Sequence, residues 1–245
     1  MTSRVALVTG GTGGIGTAIV KRLADMGHKV ATNYRNEEKA RAWQDKLKAE
    51  GYDVVLVKGD VTSPQEAEAM VREVESTLGP VDILVNNAGI TRDGTFHKMK
   101  ADQWGDVINT NLNSVFNVTR PVIEGMRDRK WGRVIQISSI NGLKGQIGQV
   151  NFATAKAAMH GFSRALANEV ATRGVTVNTI SPGYIASQSI SSFPPDVLDR
   201  LAGSVPIRRL GKPEEVASLC AWLASDDAAY VTGADYAVNG GLHMF

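Results

Sequence analysis

Short apolar runs alternate with longer amphipathic runs along almost the whole chain. Residues 4–10, RVALVTG, are rich in β-branched and apolar side chains and end at a glycine turn, whereas residues 15–28 have the apolar spacing of a helix. The same features predict further strands at 29–34, 53–60, 81–89, 132–139, 174–183 and 231–241, and further helices at 36–51, 62–79, 101–129, 151–172 and 213–225. This alternation predicts an α/β fold: a single-domain Rossmann-type doubly wound parallel sheet of about seven strands, with helices on both faces.

Turn and capping residues mark where several of these elements end. Gly27 closes the first predicted helix, and Thr62 or Ser63 is predicted to cap the third helix, with Pro64 in its first turn. Pro121 lies inside the long run at 101–129, where proline can kink a helix.

No linker or repeat divides the chain, so residues 1–245 are predicted to form one domain. Residues 186–212 contain three prolines and five serines. They form the least regular stretch and are predicted to be a mobile lid over bound substrate.

Composition excludes several classes of function. A formal net charge of +2 without a dense cluster of Lys and Arg argues against a nucleic-acid partner. Cys220 is the only cysteine, so no disulfide can form within the chain, and its apolar surroundings predict a buried, inert thiol. The four histidines have no metal-ligand spacing, so no metal site is predicted.

The hydropathy of the sequence predicts no association with a membrane. The chain has no run of 18 apolar residues, and its first ten residues do not resemble a signal peptide. A cytoplasmic location is therefore the expectation.

A glycine-rich turn joins the first predicted strand to the first predicted helix. Gly11, Gly13 and Gly16 satisfy the spacing G-x-G-x-x-G in this position. Glycines allow a pyrophosphate to approach main-chain N–H groups, and the N-terminus of the helix favours negative charge. The turn therefore predicts a dinucleotide site; the alternative is an ordinary glycine-rich turn.

Residues at the end of the second strand should select between the two nicotinamide dinucleotides. No Asp or Glu occurs from Asn33 to Asn36, and Arg35 could form a charge-assisted pair with a 2′-phosphate. This favours NADP(H), with NAD(H) possible. The alternative is that Arg35 is a solvated residue at a helix start.

Several motifs in register resemble those of the short-chain dehydrogenase/reductase family, and the resemblance covers essentially the whole chain. They comprise a glycine pattern, an N-N-A-G motif, an asparagine on the fourth helix, a serine after the fifth strand and a P-G turn after the sixth. In this sequence they are Thr9, Gly10, Gly14 and Gly16; Asn86, Asn87, Ala88 and Gly89; Asn111; Ser139; and Pro182 with Gly183, while Asp60 matches the position facing the adenine.

Within the family, the stretches NNAGITRDGTFHKM, SSINGLKGQIGQ and NGGLHMF resemble the acetoacetyl-CoA reductases of polyhydroxyalkanoate synthesis. The resemblance implies NADPH-dependent reduction of a 3-oxoacyl-CoA to an (R)-3-hydroxyacyl-CoA by a homotetramer. A 3-oxoacyl-carrier-protein reductase and a non-catalytic NADP(H)-binding module are the alternatives. The predicted cofactor-binding residues are Thr9, Gly10, Gly11, Thr12, Gly13, Gly14, Ile15, Gly16, Asn33, Tyr34, Arg35, Asp60, Val61, Asn87, Ala88, Gly89, Lys156, Pro182, Gly183 and Ile185.

The resemblance also implies the catalytic positions. Ser139 would hydrogen-bond the substrate carbonyl, Lys156 would tune a tyrosine one helical turn earlier, and Asn111 would hold a water linked to the lysine. The tyrosine position holds Phe152, which has the ring but no proton to give. Of the five tyrosines in the chain, only Tyr184 is expected near the substrate, on a loop.

Three explanations for Phe152 are open. The first, which we favour, is a deliberate Tyr→Phe change that allows ligands to bind without turnover. The second is a natural protein that lost the reaction and kept cofactor binding. The third is a working enzyme with a different proton donor.

The predicted substrate-binding residues line the same place in the fold. They are Ser139, Gln146, Gln149, Phe152 and Tyr184. Each polar member could donate a hydrogen bond to an oxygen of an acyl thioester, and the alternative is that the glutamines and Tyr184 are solvated loop residues. Basic residues at the mouth of the cleft would suit the phosphates of CoA; Arg92, Lys98 and Lys144 are candidates, although most exposed basic residues only solvate a surface.

Overall fold

A computed structural model describes residues 2–187, 190 and 192–244. Its seven strands are β1 (Val5–Val8), β2 (Lys29–Tyr34), β3 (Val54–Lys58), β4 (Ile83–Asn86), β5 (Gly132–Ile137), β6 (Val175–Pro182) and β7 (Asp235–Val238). Its α-helices in the described ranges are α1 (Gly14–Asp25), α2 (Glu37–Ala49), α3 (Pro64–Leu78), α4 (Ala101–Ile108), α5 (Ser114–Arg129), α6 (Asn141–Lys144), α7 (Val150–Val170), α8 (Pro195–Ser204) and α9 (Pro213–Ala224).

The seven strands form one sheet in the order β3-β2-β1-β4-β5-β6-β7. Every pair of neighbouring strands is parallel. The strand order reverses between β1 and β4, and in such sheets ligands bind beyond the carboxyl ends of the strands at this reversal. The predicted doubly wound parallel sheet is confirmed.

Two hydrophobic cores cover the two faces of the sheet. One packs α1, α2 and α9 on the strands through side chains such as Ile19, Leu47 and Leu223. The other packs α3, α5 and α7 through side chains such as Met70, Val122 and Val170. β1, β4, β5 and β6 are buried along their whole length, as strands covered on both faces must be.

Local capping follows the sequence closely. The Ser63 side chain accepts a hydrogen bond from the N–H of Glu66 at the start of α3, and Pro64 is the first helical residue. The Asn36 side chain caps α2 in the same way. Gly27 follows the end of α1 with φ of +81°, a conformation that glycine adopts at little cost.

The run at 101–129 is not one continuous helix. A π-helical segment, Asn109–Asn113, separates α4 from α5. Such single π-turns occur inside α-helices and are frequent at functional sites. Asn111, a predicted catalytic residue, lies in this segment.

The predicted lid is more regular than its composition indicates. Its described part contains α8, with Pro195 as the first helical residue, where proline is favoured. Residues 188, 189 and 191 lie outside the described residues. Mobility of the lid remains a prediction.

Two predicted absences can be compared with the described part of the chain. It contains no cluster of three or more His, Cys, Asp or Glu residues that could hold a metal ion. None of its helices has the length and apolar content needed to cross a membrane.

Cys220 is fully buried, and burial raises the pKa of its thiol to about 12, as expected for an inert cysteine.

Candidate active site

The glycine turn after β1 is held in place by side chains from β2. Thr32 Oγ1 accepts a hydrogen bond from the N–H of Gly11 and donates to the carbonyl of Val8. Asn33 Oδ1 accepts from the N–H of Gly10, and Asn33 Nδ2 donates to the carbonyl of Gly59. Asn33, predicted to touch the cofactor, therefore uses both ends of its amide to hold the loop.

The N-terminus of α1 has the properties of an anion site. Among the described residues no side chain caps it at Gly13, and its first turn contains no acidic residue. A Cβ atom on Gly16 would lie 2.4 Å from the carbonyl oxygen of Gly10, so only glycine permits this close turn. An uncapped helix N-terminus beneath a glycine turn fits the pyrophosphate of a dinucleotide.

A first cavity of about 170 Å³ lies beside this turn. Arg35 Nη1 lies 3.4 Å from Asp60 Oδ2 at its wall, and the Arg35 side chain is 64% exposed. Burial raises the pKa of the Asp60 carboxyl, but hydrogen bonds from Thr62 and the charge of Arg35 outweigh it and lower that pKa. The lining residues are Gly10, Thr12, Asn33, Tyr34, Arg35, Asp60, Val61, Ala88, Gly89, Ile90 and Thr110.

Nine of those eleven residues were predicted to bind the cofactor. Ile90 and Thr110 were not, although Ile90 directly follows the N-N-A-G motif. The motif itself joins β4 to the glycine turn: Asn87 Nδ2 donates to the carbonyls of Thr9 and Gly10, and Thr9 Oγ1 accepts from the N–H groups of Asn87 and Ala88.

Lys156 is a buried cation on α7. Its Nζ donates a hydrogen bond of 2.7 Å to the carbonyl of Ile137 at the end of β5, and the residue is 4% exposed. Burial lowers the pKa of the Lys156 ammonium to about 8. A lysine in this state can change its charge near neutral pH more readily than an exposed one.

Phe152 lies one helical turn before Lys156. The Lys156 Nζ is 5.7 Å from the centre of the Phe152 ring. The first turn of α7 is fixed by Asn151, whose Nδ2 donates to the carbonyls of Arg92 and Gln103 and whose Oδ1 accepts from the N–H of Phe152. Sequence reasoning missed Asn151, because its partners lie far away along the chain.

Asn111 reaches the site from the π-helical segment. Its Nδ2 donates to the carbonyls of Ile90 and Val107, and its Oδ1 accepts from the N–H of Ile90. A Cβ atom on Gly89 would lie 2.5 Å from Asn111 Oδ1 and 3.6 Å from Lys156 Nζ. Glycine at position 89 is therefore needed for the close approach of Asn111, whereas the distance to Lys156 is an ordinary contact.

Ser139 follows β5 and faces a second cavity. Its Oγ accepts a hydrogen bond of 3.1 Å from the N–H of Asn141. The hydroxyl oxygen accepts this bond, so the hydroxyl can still donate a hydrogen bond to an oxygen atom in the cavity.

This second cavity, of about 430 Å³, brings Ser139 and Phe152 together. Nine of its lining residues were predicted to bind cofactor or substrate: Ile15, Ser139, Gln146, Gln149, Phe152, Pro182, Gly183, Tyr184 and Ile185. The others are Thr91, Asp93, Ser138, Asn141, Ser187, Ile190, Phe193 and Leu201. Ile190, Phe193 and Leu201 belong to the segment predicted to be a lid, so described residues of that segment line this cavity.

The two glutamines already have partners within the protein. Gln149 Oε1 accepts from Asn141 Nδ2, and Gln149 Nε2 donates to Asp93 Oδ2. Gln146 Oε1 accepts from Lys144 Nζ. Of the basic residues considered for CoA, Arg92 pairs with Asp106 at 3.7 Å.

Comparisons with known proteins show the family of this chain. The pattern of the family described as short chain dehydrogenase matches residues 4–197. The chain is 53% identical over 245 residues to an acetoacetyl-CoA reductase of Cupriavidus necator, covering 100% of both chains. It is 52% identical over 244 residues to an acetoacetyl-CoA reductase of Allochromatium vinosum, covering 99% of each. It is 44% identical over 241 residues to a 3-oxoacyl-(acyl-carrier-protein) reductase of Pseudomonas aeruginosa, covering 98% of each. The chain belongs to the short-chain dehydrogenase/reductase family of oxidoreductases.

Proposed function

We propose that this protein has the architecture of an NADPH-dependent acetoacetyl-CoA reductase, which converts a 3-oxoacyl-CoA to an (R)-3-hydroxyacyl-CoA, and that Phe152 impairs its turnover. The observation that carries the proposal is the second cavity, where Ser139 and the Phe152 ring meet while Lys156 lies one turn behind. Its similarity to acetoacetyl-CoA reductases over the full chain supports the choice of substrate.

NADP(H) fits the residues of the first cavity and the glycine turn. The uncapped N-terminus of α1 would hold the pyrophosphate, and Arg35 would pair with the 2′-phosphate. When bound, the nicotinamide supplies the hydride for reduction of the ketone.

The residues around the second cavity supply the remaining chemistry. Ser139 would donate a hydrogen bond from its hydroxyl to the substrate carbonyl oxygen as negative charge develops there. The buried Lys156 ammonium would stabilise that charge through its field. Asn141 and Asp93 fix Gln149 at the wall and so restrict the orientation of the acyl group.

Proton delivery is the step that the chain lacks. A positioned general acid typically contributes about 10² to 10⁴ in rate, and the Phe152 ring cannot act as one. Tyr184 lines the same cavity, but it lies on the loop after β6 and not one helical turn from Lys156. The ring still fills its space, so binding of cofactor and substrate should persist.

A carrier-protein substrate is the second candidate, since a relative at 44% identity is a 3-oxoacyl-(acyl-carrier-protein) reductase. A non-catalytic NADP(H)-binding module is the third, and Phe152 is the feature in its favour. Ser139, Asn111 and Lys156 argue against the module, because binding alone would not need them.

We also propose a homotetramer in the cytoplasm. An apolar groove between α5 and α7 exposes Phe116, which is 58% accessible, together with Ile123 and Phe162. Exposed apolar surface of this kind is typical of an interface between subunits.

The test of the proposal is product analysis with the Phe152→Tyr variant. The variant is incubated with NADPH and either acetoacetyl-CoA or the corresponding carrier-protein thioester, and the product is resolved by chiral chromatography. We expect (R)-3-hydroxybutyryl-CoA, formed faster than the carrier-bound product. Faster reduction of the carrier-bound substrate would favour the second candidate, and no reduction of either by the variant would favour the binding module.

A further inference from the structure

A line of buried polar side chains runs behind the second cavity, from α7 to β7. It consists of Ser138, His160, Asp235 and Ser181, which we call the polar brace. Ser138 Oγ donates a 2.8 Å hydrogen bond to the carbonyl of Lys156 and lies 3.3 Å from His160 Nε2. His160 Nδ1 lies 3.6 Å from Asp235 Oδ2, and Ser181 Oγ donates to Asp235 Oδ1 at 2.8 Å.

Each end of the polar brace lies next to a residue of the site. Ser138 directly precedes Ser139 at the end of β5. Ser181 directly precedes the turn formed by Pro182 and Gly183 at the end of β6. His160 lies one helical turn after Lys156 on α7, so both side chains are on the same face of the helix. The brace therefore joins the ends of β5 and β6 to α7, and residues at all three places line the second cavity.

The hydrogen bonds of the Ser138 hydroxyl indicate which ring nitrogen of His160 carries a proton. The Ser138 hydroxyl has a single proton, which goes to the carbonyl of Lys156. With its proton on that carbonyl, Ser138 Oγ can only accept from His160, and this assigns a proton to His160 Nε2. The carbonyl of Lys156 also accepts from the N–H of residue 160 within α7, as α-helix geometry requires.

The other side of the imidazole faces Asp235. Neither His160 Nδ1 nor Asp235 Oδ2 has a hydrogen-bond partner among the described residues. Both side chains are almost buried, at 8% and 10% exposure, and a gap of 3.6 Å has no room for an intervening water. Burial lowers the pKa of His160, Asp235 raises it, and Arg164 on the same helix lowers it. The proton on Nε2 remains in either charge state of the ring.

We propose that His160 is a positioning residue for the reaction: lying between Ser138 and Asp235, it orients the Ser138 hydroxyl so that Ser139 and Lys156 keep their relative positions. This role rests on the proposed reductase function. It predicts that loss of the brace misplaces both groups, which lowers kcat more than it raises KM because their interactions are strongest in the transition state.

The kinetic test uses the Phe152→Tyr background, where turnover is measurable. His160→Leu should lower kcat for acetoacetyl-CoA about tenfold with KM changed less than about twofold, since small misplacements of catalytic groups are costly. His160→Gln retains an N–H group that can reach Ser138 and should recover most of the loss. His28→Leu is the matched control, because His28 is a buried histidine immediately before β2, at the opposite end of the strands. It should leave kcat unchanged.

Equal losses in His160→Leu and His28→Leu would overturn the proposal, because they would indicate a general effect on stability. So would a His160→Gln variant no better than His160→Leu.

A spectroscopic test separates the brace from the proposed function. Long-range ¹H–¹⁵N NMR of the chain as written reports which imidazole nitrogens are protonated, and the chain has only four histidines. We expect a proton on His160 Nε2 at neutral pH, and a neutral ring protonated only on Nδ1 would overturn the brace. If Phe152→Tyr reduces no acetoacetyl-CoA, the reductase proposal fails, whereas the NMR result still decides whether His160 donates to Ser138.

Discussion

The ammonium nitrogen of Lys156 lies 5.7 Å from the centre of the Phe152 ring, one helical turn along α7. A buried cation at this position would favour the ionised form of a phenol beside it and so lower the phenol's pKa. The phenylalanine ring keeps the shape and the attraction between cation and ring, but it has no proton to deliver. The site therefore contains a lysine placed to lower the pKa of a phenol at position 152, but the side chain at that position has no hydroxyl.

Burial of Lys156 should make stability depend on pH. Desolvation lowers the pKa of its ammonium to about 8 in the folded protein, from the ordinary lysine value of 10.5 that applies to the unfolded chain. Between these values the unfolded chain binds more protons, so stability should rise with pH, by up to about 3 kcal/mol for a shift of this size. The free energy of unfolding, measured by urea denaturation at several pH values from 7 to 10.5, tests this prediction.

Lys156→Met is the matched variant for that experiment. The pKa of the Cys220 thiol is raised by burial to about 12, so Cys220 makes stability fall as pH rises above about 9, and it is present in both proteins. The difference between the two curves therefore isolates Lys156. Parallel curves would show that the lysine is not desolvated.

Arg35 should set the preference between the two dinucleotides. Arg35→Ala is expected to weaken NADPH binding roughly tenfold to a hundredfold relative to NADH, since hydrogen bonds between charged groups contribute about 1.5–3 kcal/mol. Arg72→Ala is the control, because Arg72 has the same 64% exposure and pairs with Glu68 on α3. An unchanged ratio of the dissociation constants for NADPH and NADH in Arg35→Ala would show that Arg35 does not recognise the 2′-phosphate.

Ser139 should act on the transition state and not on cofactor binding. In the Phe152→Tyr background, Ser139→Ala is expected to lower kcat by about 10² to 10³, the usual effect of removing one donor to a developing oxyanion. The dissociation constant for NADPH, measured by fluorescence titration, should stay the same. A parallel loss of NADPH binding would mean that the substitution disturbs the fold around Asn141, whose N–H bonds to the Ser139 hydroxyl.

Asn111 should stabilise the fold as well as the site. Its amide makes three hydrogen bonds, to the N–H and carbonyl of Ile90 and to the carbonyl of Val107, and the residue is fully buried. Asn111→Ala is expected to cost about 2–4 kcal/mol, because buried backbone groups lose their partners. Asn113→Ala, an exposed change in the same π-helical segment, should cost far less. Similar costs for both would contradict the assigned bonds.

Much of the fold could be predicted from the sequence because local signals and tertiary packing agree. Alternating apolar runs determine the parallel sheet, and Ser63 with Pro64 determines the start of α3. The π-turn at Asn111 could not be predicted, because π-turns are rare interruptions of an α-helix and the run at 101–129 reads as one long helix. α8 was missed because prolines and serines indicate a loop, although Pro195 suits the first turn of a helix.

Individual side chains in the site were harder to predict than the elements that carry them. Gln149 lines the second cavity and its contact with substrate stays a prediction, but its bonds to Asn141 and Asp93 were not predicted. Asn33 lines the first cavity and its contact with cofactor stays a prediction, but its bonds to Gly10 and Gly59 were not predicted. These partners come from distant parts of the chain, and no local spacing encodes which of several candidates satisfies a buried amide.

The most direct test of the central claim is the steady-state kcat of the chain and of its Phe152→Tyr variant, with acetoacetyl-CoA and NADPH at saturation. The missing general acid predicts a gain of about 10² to 10⁴ in the variant, with dissociation constants for NADPH that agree within about twofold. Rapid turnover by the chain as written, or no gain on restoring the phenol, would contradict the account.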